Sequence, residues 1–205
     1  MRRTPPRYSG RLDSVLASAA IVGGALWAAL AVFAHLEARG AISYDAFNRL
    51  VTFPLVALNL GLVAVHRSIA PRSTLARAGY ITLLLAFGLL VTGNLIEFWG
   101  ALAFGKVNAY AAYGAAVEHW IGSDIGWMMF AVGMLVAIPG GLMLALALRE
   151  AVIPLLLRAF VGLIGIGMLA ANFVGLGPSL LIVPVFVLYG AGWIALGWCA
   201  RLSRG

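Results

Sequence analysis

The stretch VLASAAIVGGALWAALAVFA, residues 15–34, decides the fold. It is about 20 residues long and holds no charge. A helix rises about 1.5 Å per residue and the hydrocarbon layer of a bilayer is about 30 Å thick, so this run is one membrane span. It is also longer than the roughly 7–15 residues of a secretory signal core, and it reads as a retained first span. Outward from it, five more windows of the same kind follow. The six spans lie near 14–36, 45–66, 77–104, 124–148, 152–174 and 178–200. Lipid offers no hydrogen bonds, so each span must satisfy its backbone internally, as a helix does. The runs are continuous, not alternating, which excludes a β-barrel.

The whole chain agrees with that reading. Of its 205 residues, 63% are apolar and 10% charged, and its mean hydropathy is +1.01. Soluble domains average about 45–50% apolar and about 25% charged. A soluble enzyme, a disordered chain and a fibrous repeat are therefore excluded. The single cysteine, Cys199, excludes an internal disulfide and a multi-cysteine metal site.

The net charge of +7 could point to nucleic acid, but its distribution points to topology. With the amino terminus in the cytoplasm, Arg2, Arg3, Arg7, Arg11, Arg67, Arg72, Arg77, Arg149, Arg158, Arg201 and Arg204 lie inside. Arg39, Arg49 and Lys106 lie outside. That is 11 against 3, and cations favour the cytoplasmic side. Both termini are expected inside a plasma membrane of bacterial type, with no nucleic-acid partner. The acids run the other way. Glu37, Asp45, Glu97, Glu118 and Asp124 are outer, whereas Asp13 and Glu150 are inner. Acids set topology weakly, so the outer excess is free to report on cation attraction.

Local punctuation supports the borders. Gly40 is placed to end the first helix, Ser43 to cap the second with Asp45 in its first turn, and Gly105 to end the third. Ser123 and Asp124 can cap the fourth, and Gly177-Pro178 fits the start of the sixth. Small residues recur every four positions: Ala20, Gly24 and Ala28; Gly133, Ala137 and Gly141; Gly167 and Ala171. Such seams let membrane helices approach closely, within one chain or in a homo-oligomer. Pro54, Pro139 and Pro184 fall inside spans and are expected to kink them and open a cavity. Gly165-Ile-Gly167-Met-Leu-Ala170 mimics a dinucleotide fingerprint, but it lies within a span and lacks the preceding strand, so it reads as packing.

The chemistry concentrates in Thr92-Gly-Asn94-Leu-Ile-Glu97-Phe-Trp99-Gly100. Glu97 stands about 10 Å below the outer end of the third span. A carboxylate at that depth must be paired, hydrated or protonated. Asn94 precedes it by three residues and shares its helical face. The loop over 106–122 carries Tyr110, Tyr113, Val117 and Trp120 on one face. It reads as a short amphipathic helix on the outer surface. His35, Asn94 and Asn172 stand near the outer ends of odd-numbered spans. With Glu97, Glu118 and His119 they form the candidate ligand-binding set. Their spacing matches no metal signature, and no cofactor is indicated. Trp99, Trp120 and Trp127 are expected in the outer aromatic belt, and Trp193 and Trp198 in the inner one. Asn59 is placed to hydrogen-bond between helices.

Three functions remain open. The first is a non-catalytic ligand-binding, accessory or structural bundle with an outward-facing polar pocket, alone, as a homo-oligomer or with a partner membrane protein. The second is an intramembrane enzyme acting on a lipid or isoprenoid, with Glu97 as acid or base oriented by Asn94. The third is a small transporter that couples protons through Glu97.

Overall fold

The structure, a computed structural model, describes residues 8–70, 72–104, 125–151, 153–174 and 181–203. Every regular element among them is helical. The helices are α1 (Tyr8–Ala38), α2 (Tyr44–Ser68), α3 (Thr74–Asn94), α4 (Ala101–Phe104), α5 (Ile125–Ala147), α6 (Leu155–Gly162), α7 (Ile164–Val174) and α8 (Ile182–Leu202). A π-helical turn, Leu95–Gly100, joins α3 to α4 without a break. Five helical segments are long and apolar enough to cross a membrane: Leu12–Ala38, Tyr44–Ser68, Thr74–Gly100, Ile125–Ala147 and Ile182–Leu202. The loop helix expected over 106–122, and the caps expected at Gly105, Ser123, Asp124 and Gly177, lie outside the described residues.

The segment expected as a fifth continuous span is divided. α6 has 8 residues and α7 has 11, with Leu163 between them at φ −96° and ψ 3°. Glycines on either side of that joint explain the break, because they weaken helix at the joint and let neighbours press in. A Cβ on Gly165 would lie 2.6 Å from the carbonyl carbon of Ala137, and one on Gly141 would lie 2.7 Å from the carbonyl oxygen of Val161.

The helices form a closed ring. α1 packs on α2 and α8, α2 on α3, α3 on α5, α5 on α6 and α7, and α7 on α8. Lipid-facing helices gain little from the hydrophobic effect, so close backbone approach supplies the packing. Gly24 of α1 and Gly190 of α8 face each other, and a Cβ on Gly61 would stand 2.6 Å from the Cα of Ala20. The small-residue seams are thus used within the chain. Large apolar side chains point outward instead, among them Leu85, Leu135 and Leu188 at 58–70% exposure. That arrangement suits lipid as the surrounding solvent.

A column of aromatic rings runs through a mainly aliphatic interior. Trp193 is fully buried, with its centroid 5.7 Å from Phe87 and 6.1 Å from Phe160. Trp27, Tyr189 and Phe186 extend the column along α8. Trp193 is therefore a core residue and not a belt residue. Its position on α8 falls on the ring-facing side, which hydropathy alone does not distinguish from the lipid-facing side. Trp198 remains 48% exposed, with the Arg201 guanidinium 5.7 Å above it.

Both ends of the described chain lie at one end of the bundle. Asp13 of α1 pairs with Arg67 of α2 at 3.1 Å. Ser203, just past α8, donates to the carbonyl of Ser68 at 3.3 Å. Glu97, Tyr44 and Gly126 lie at the opposite end, referred to below as the far end.

The helix borders follow local chemistry. Gly40 adopts φ +72°. Its N–H reaches the carbonyl of Glu37, and that of Ala41 reaches Leu36, both at 2.8 Å. This is the Schellman termination that glycine favours. Ser43 caps α2 by accepting from the N–H of Ala46 at 3.2 Å. Ser73 caps α3 in the same way at 3.1 Å. Pro54 and Pro139 leave the helical pattern of α2 and α5 unbroken. Pro184 falls in the first turn of α8, where a missing N–H costs no intrahelical bond. Among the described residues the α-helical pattern changes at the π turn and at the Leu163 joint.

Candidate functional site

The site grows from the π turn. A π helix repeats every i→i+5 and often marks a functional position. Here it brings Asn94 and Trp99, five residues apart, to one partner. Thr52 of α2 donates its hydroxyl to Oδ1 of Asn94 at 2.5 Å. The indole N–H of Trp99 donates to the same hydroxyl at 2.9 Å. Trp99 is thereby held against α2. Asn94 is fully buried, and its Nδ2 has no hydrogen-bond partner among the described residues.

Glu97 projects to the other side of the turn. It is 6% exposed and sits against α5. A Cβ on Gly126 would lie 2.8 Å from the Cβ of Glu97, and one on Gly93 would lie 2.7 Å from the N of Phe130. Two glycines thus let α3 and α5 touch at the level of the carboxylate. Beside this contact is a cavity of about 230 Å³, lined by Tyr44, Asn48, Glu97, Phe98, Gly126, Trp127 and Phe130. Tyr44, Asn48 and Phe130 also line a narrower slot of about 40 Å³, which reaches Leu90, Met134, Met168 and Phe186. The cavity and slot share those three residues as walls. No proline lines either one.

The electrostatics of this end are acidic. Glu37, Asp45 and Glu97 lie within electrostatic reach of the Tyr44 hydroxyl. Arg49, a nearby cation, donates its Nε to the carbonyl of Asp45 at 3.0 Å and so is turned along α2. Among the described residues no group of three His, Cys, Asp or Glu side chains could hold a metal.

The sequence-derived set is partly brought together. Asn94 and Glu97 are both buried at the far end, but Asn94 faces Thr52 while Glu97 lines the cavity. His35 lies half-buried in the last turn of α1 and lines neither cavity nor slot. Glu118 and His119 lie outside the described residues, and so does the side chain of Asn172. Asn59 keeps a buried Oδ1 with no hydrogen-bond partner among the described residues.

Three polar contributors escaped the sequence reading: Tyr44, Asn48 and Thr52. They recur every four residues on α2, so the stripe was visible as a polar seam on an apolar helix. Asn48 is 7% exposed and donates Nδ2 to the carbonyl of Tyr44 at 3.0 Å.

A second cavity, of about 400 Å³, lies at the opposite end between Ser68, Ile69, Ala151, Ile153, Cys199, Leu202 and Ser203. These lining residues carry no charged side chain. The chain matches no known protein family, no curated protein and no solved structure.

Proposed function

We propose that this chain is a multi-pass protein of a bacterial-type plasma membrane that crosses six times with both termini in the cytoplasm, and that it binds a small ligand in a pocket at its outer end. The sixth crossing in this reading is the composite of α6 and α7. The cation distribution supports the sidedness, and the common end shared by Asp13, Arg67 and Ser203 supports an even number of crossings.

One observation carries the binding function. A buried carboxylate, Glu97, lines a cavity of about 230 Å³ on an irregular turn of an otherwise regular helix. Placing an ionisable group there is costly, and such groups by default mark function. Binding fits better than catalysis. Glu97 and Tyr44 are the ionisable groups among the described lining residues, and Asn94 is turned away from the position in which it would orient Glu97. Binding also fits better than transport. Trp27 lines the slot, and Tyr189, Phe87 and Trp193 fill the ring next to it, each at most 4% exposed.

The test compares the purified wild type with Glu97→Gln by native mass spectrometry and extraction of bound small molecules. The wild type should carry a ligand that the variant loses while its helical content is unchanged. Equal ligand content in the two proteins removes Glu97 from the site. Turnover of a membrane lipid by the wild type and not by the variant would instead make the pocket an active site.

A further inference from the structure

We infer that the far-end cavity and its neighbouring slot bind an uncharged, carbonyl-bearing ring compound of the quinone type. This inference rests on the binding function proposed above and narrows it to one chemical class.

The cavity wall suits a ring. Four of its seven described lining residues are aromatic: Tyr44, Phe98, Trp127 and Phe130. They form two edge-to-face pairs. Tyr44 and Phe98 have centroids 5.8 Å apart at 71°, and Trp127 and Phe130 are 6.1 Å apart at 61°. In such a pair the ring that offers its edge keeps its faces clear of the other, and an aromatic face takes up a further ring by offset stacking. A quinone ring is electron-poor, whereas tyrosine and tryptophan are electron-rich, which favours the stack. Size agrees. An apolar cavity of about 150 Å³ accepts benzene, so one of about 230 Å³ has room for a ring with substituents.

The polar groups call for an acceptor. The slot touches six helices, through Trp27, Asn48, Leu90, Met134, Met168 and Phe186. Its wall is hydrocarbon and thioether except at Tyr44, Asn48 and Trp27. Trp27 is 4% exposed, and its indole N–H has no hydrogen-bond partner among the described residues. A buried donor left unpaired is costly. Asn48 stands on the wall of both cavity and slot. Its carboxamide carries two donor hydrogens, and its Nδ2 serves the carbonyl of Tyr44 at 3.0 Å. A ligand carbonyl oxygen complements N–H groups of this kind without bringing a charge into an apolar wall. The slot, at about 40 Å³, admits a group of that size but no ring.

No charge is asked of the ligand. Glu97 already has an interaction within the chain, and a quinone ring fits beside that carboxyl whether it is neutral or ionised. An anion would meet no Lys, Arg or His in the described walls. A plain hydrocarbon would leave the Trp27 N–H unpaired. A polyol would bury more hydroxyl groups than these walls could pair.

The test uses the full chain in phosphatidylglycerol nanodiscs, with empty discs as the blank for partition into lipid. Binding of duroquinone is measured by equilibrium dialysis. It is compared with 1,2,4,5-tetramethylbenzene, which has the same ring and methyl groups without the carbonyl oxygens. Duroquinone should bind saturably above the blank and about tenfold more tightly than the hydrocarbon. Asn48→Leu and Trp27→Phe should each weaken duroquinone by roughly three- to tenfold. Both variants should bind the hydrocarbon as the wild type does, which also shows that they fold. If the hydrocarbon binds as tightly as duroquinone, or if the variants weaken both probes alike, the carbonyl assignment fails while the ligand pocket stands. If neither probe binds although the purified protein carries a ligand that Glu97→Gln loses, the assignment again fails alone. If neither probe binds and no such ligand is found, both the assignment and the pocket fail.

Discussion

Gly126 and Glu97 stand so close that a Cβ on the glycine would lie 2.8 Å from both the Cβ and the backbone nitrogen of the glutamate. The helical backbones of α3 and α5 therefore have no spare distance at the level of the carboxylate. Gly126→Ala must push α5 away from the π turn, and overpacking of this kind costs roughly 1–3 kcal/mol. The variant should unfold at a lower temperature in detergent and should lose ligand. A Gly126→Ala protein as stable as the wild type would show that the two helices do not meet there.

Thr52 holds the other side of the same turn. Its single hydroxyl serves both Asn94 and Trp99. Thr52→Val keeps the shape and leaves a buried amide oxygen and an indole N–H without their partner. Polar contacts between membrane helices are worth about 0.6–2 kcal/mol, so thermal unfolding should report a loss within that range. Thr52→Ser should restore most of it. Equal stability of the Val and Ser variants would mean that the hydroxyl does not join α2 to the π turn.

What the sequence made legible here follows from what hydropathy measures. Length and apolarity placed the five long apolar segments, Leu12–Ala38, Tyr44–Ser68, Thr74–Gly100, Ile125–Ala147 and Ile182–Leu202, within a few residues, because each must span one hydrocarbon thickness. Ser43 and Gly40 were legible because caps are local chemistry. Glu97 stood out because a carboxylate is rare in an apolar run. The π turn was not legible: Leu95–Gly100 carries no proline or other signal that distinguishes a wide turn from an α turn. The turn itself separates Asn94 from Glu97, which α-helical spacing had placed on one face. Trp193 misled for a related reason. Hydropathy gives depth along a helix, but whether a side chain faces lipid or the ring interior depends on neighbours from other parts of the chain.

The glycines of α3 offer a comparison of opposite sign. A Cβ on Gly88 meets nothing within 4 Å, whereas one on Gly79 would lie 2.6 Å from the backbone nitrogen of Leu144. Alanine at an open helical position reduces the freedom of the unfolded chain and adds roughly 0.4–1 kcal/mol of stability. Gly88→Ala should therefore raise the unfolding temperature and Gly79→Ala should lower it. Two shifts of the same sign would mean that the α3–α5 seam is not where the backbones place it.

Sidedness is open to a direct chemical measurement. With Cys199 replaced by alanine, single cysteines at Ala41, Arg72, Ile153 and Leu181 report on the two ends of the bundle. Ala41 and Leu181 adjoin α1 and α8 at the far end, whereas Arg72 and Ile153 lie at the terminal end. If six crossings place the termini in the cytoplasm, an impermeant maleimide should label Ala41→Cys and Leu181→Cys in intact cells. Arg72→Cys and Ile153→Cys should react only after permeabilisation. The Leu181 and Ile153 positions carry the most weight, because the broken pair α6 and α7 lies between them and neither helix alone is long enough to cross. Labelling of both from the same side would mean that α6 and α7 turn back within the layer, leaving five crossings and the termini on opposite faces.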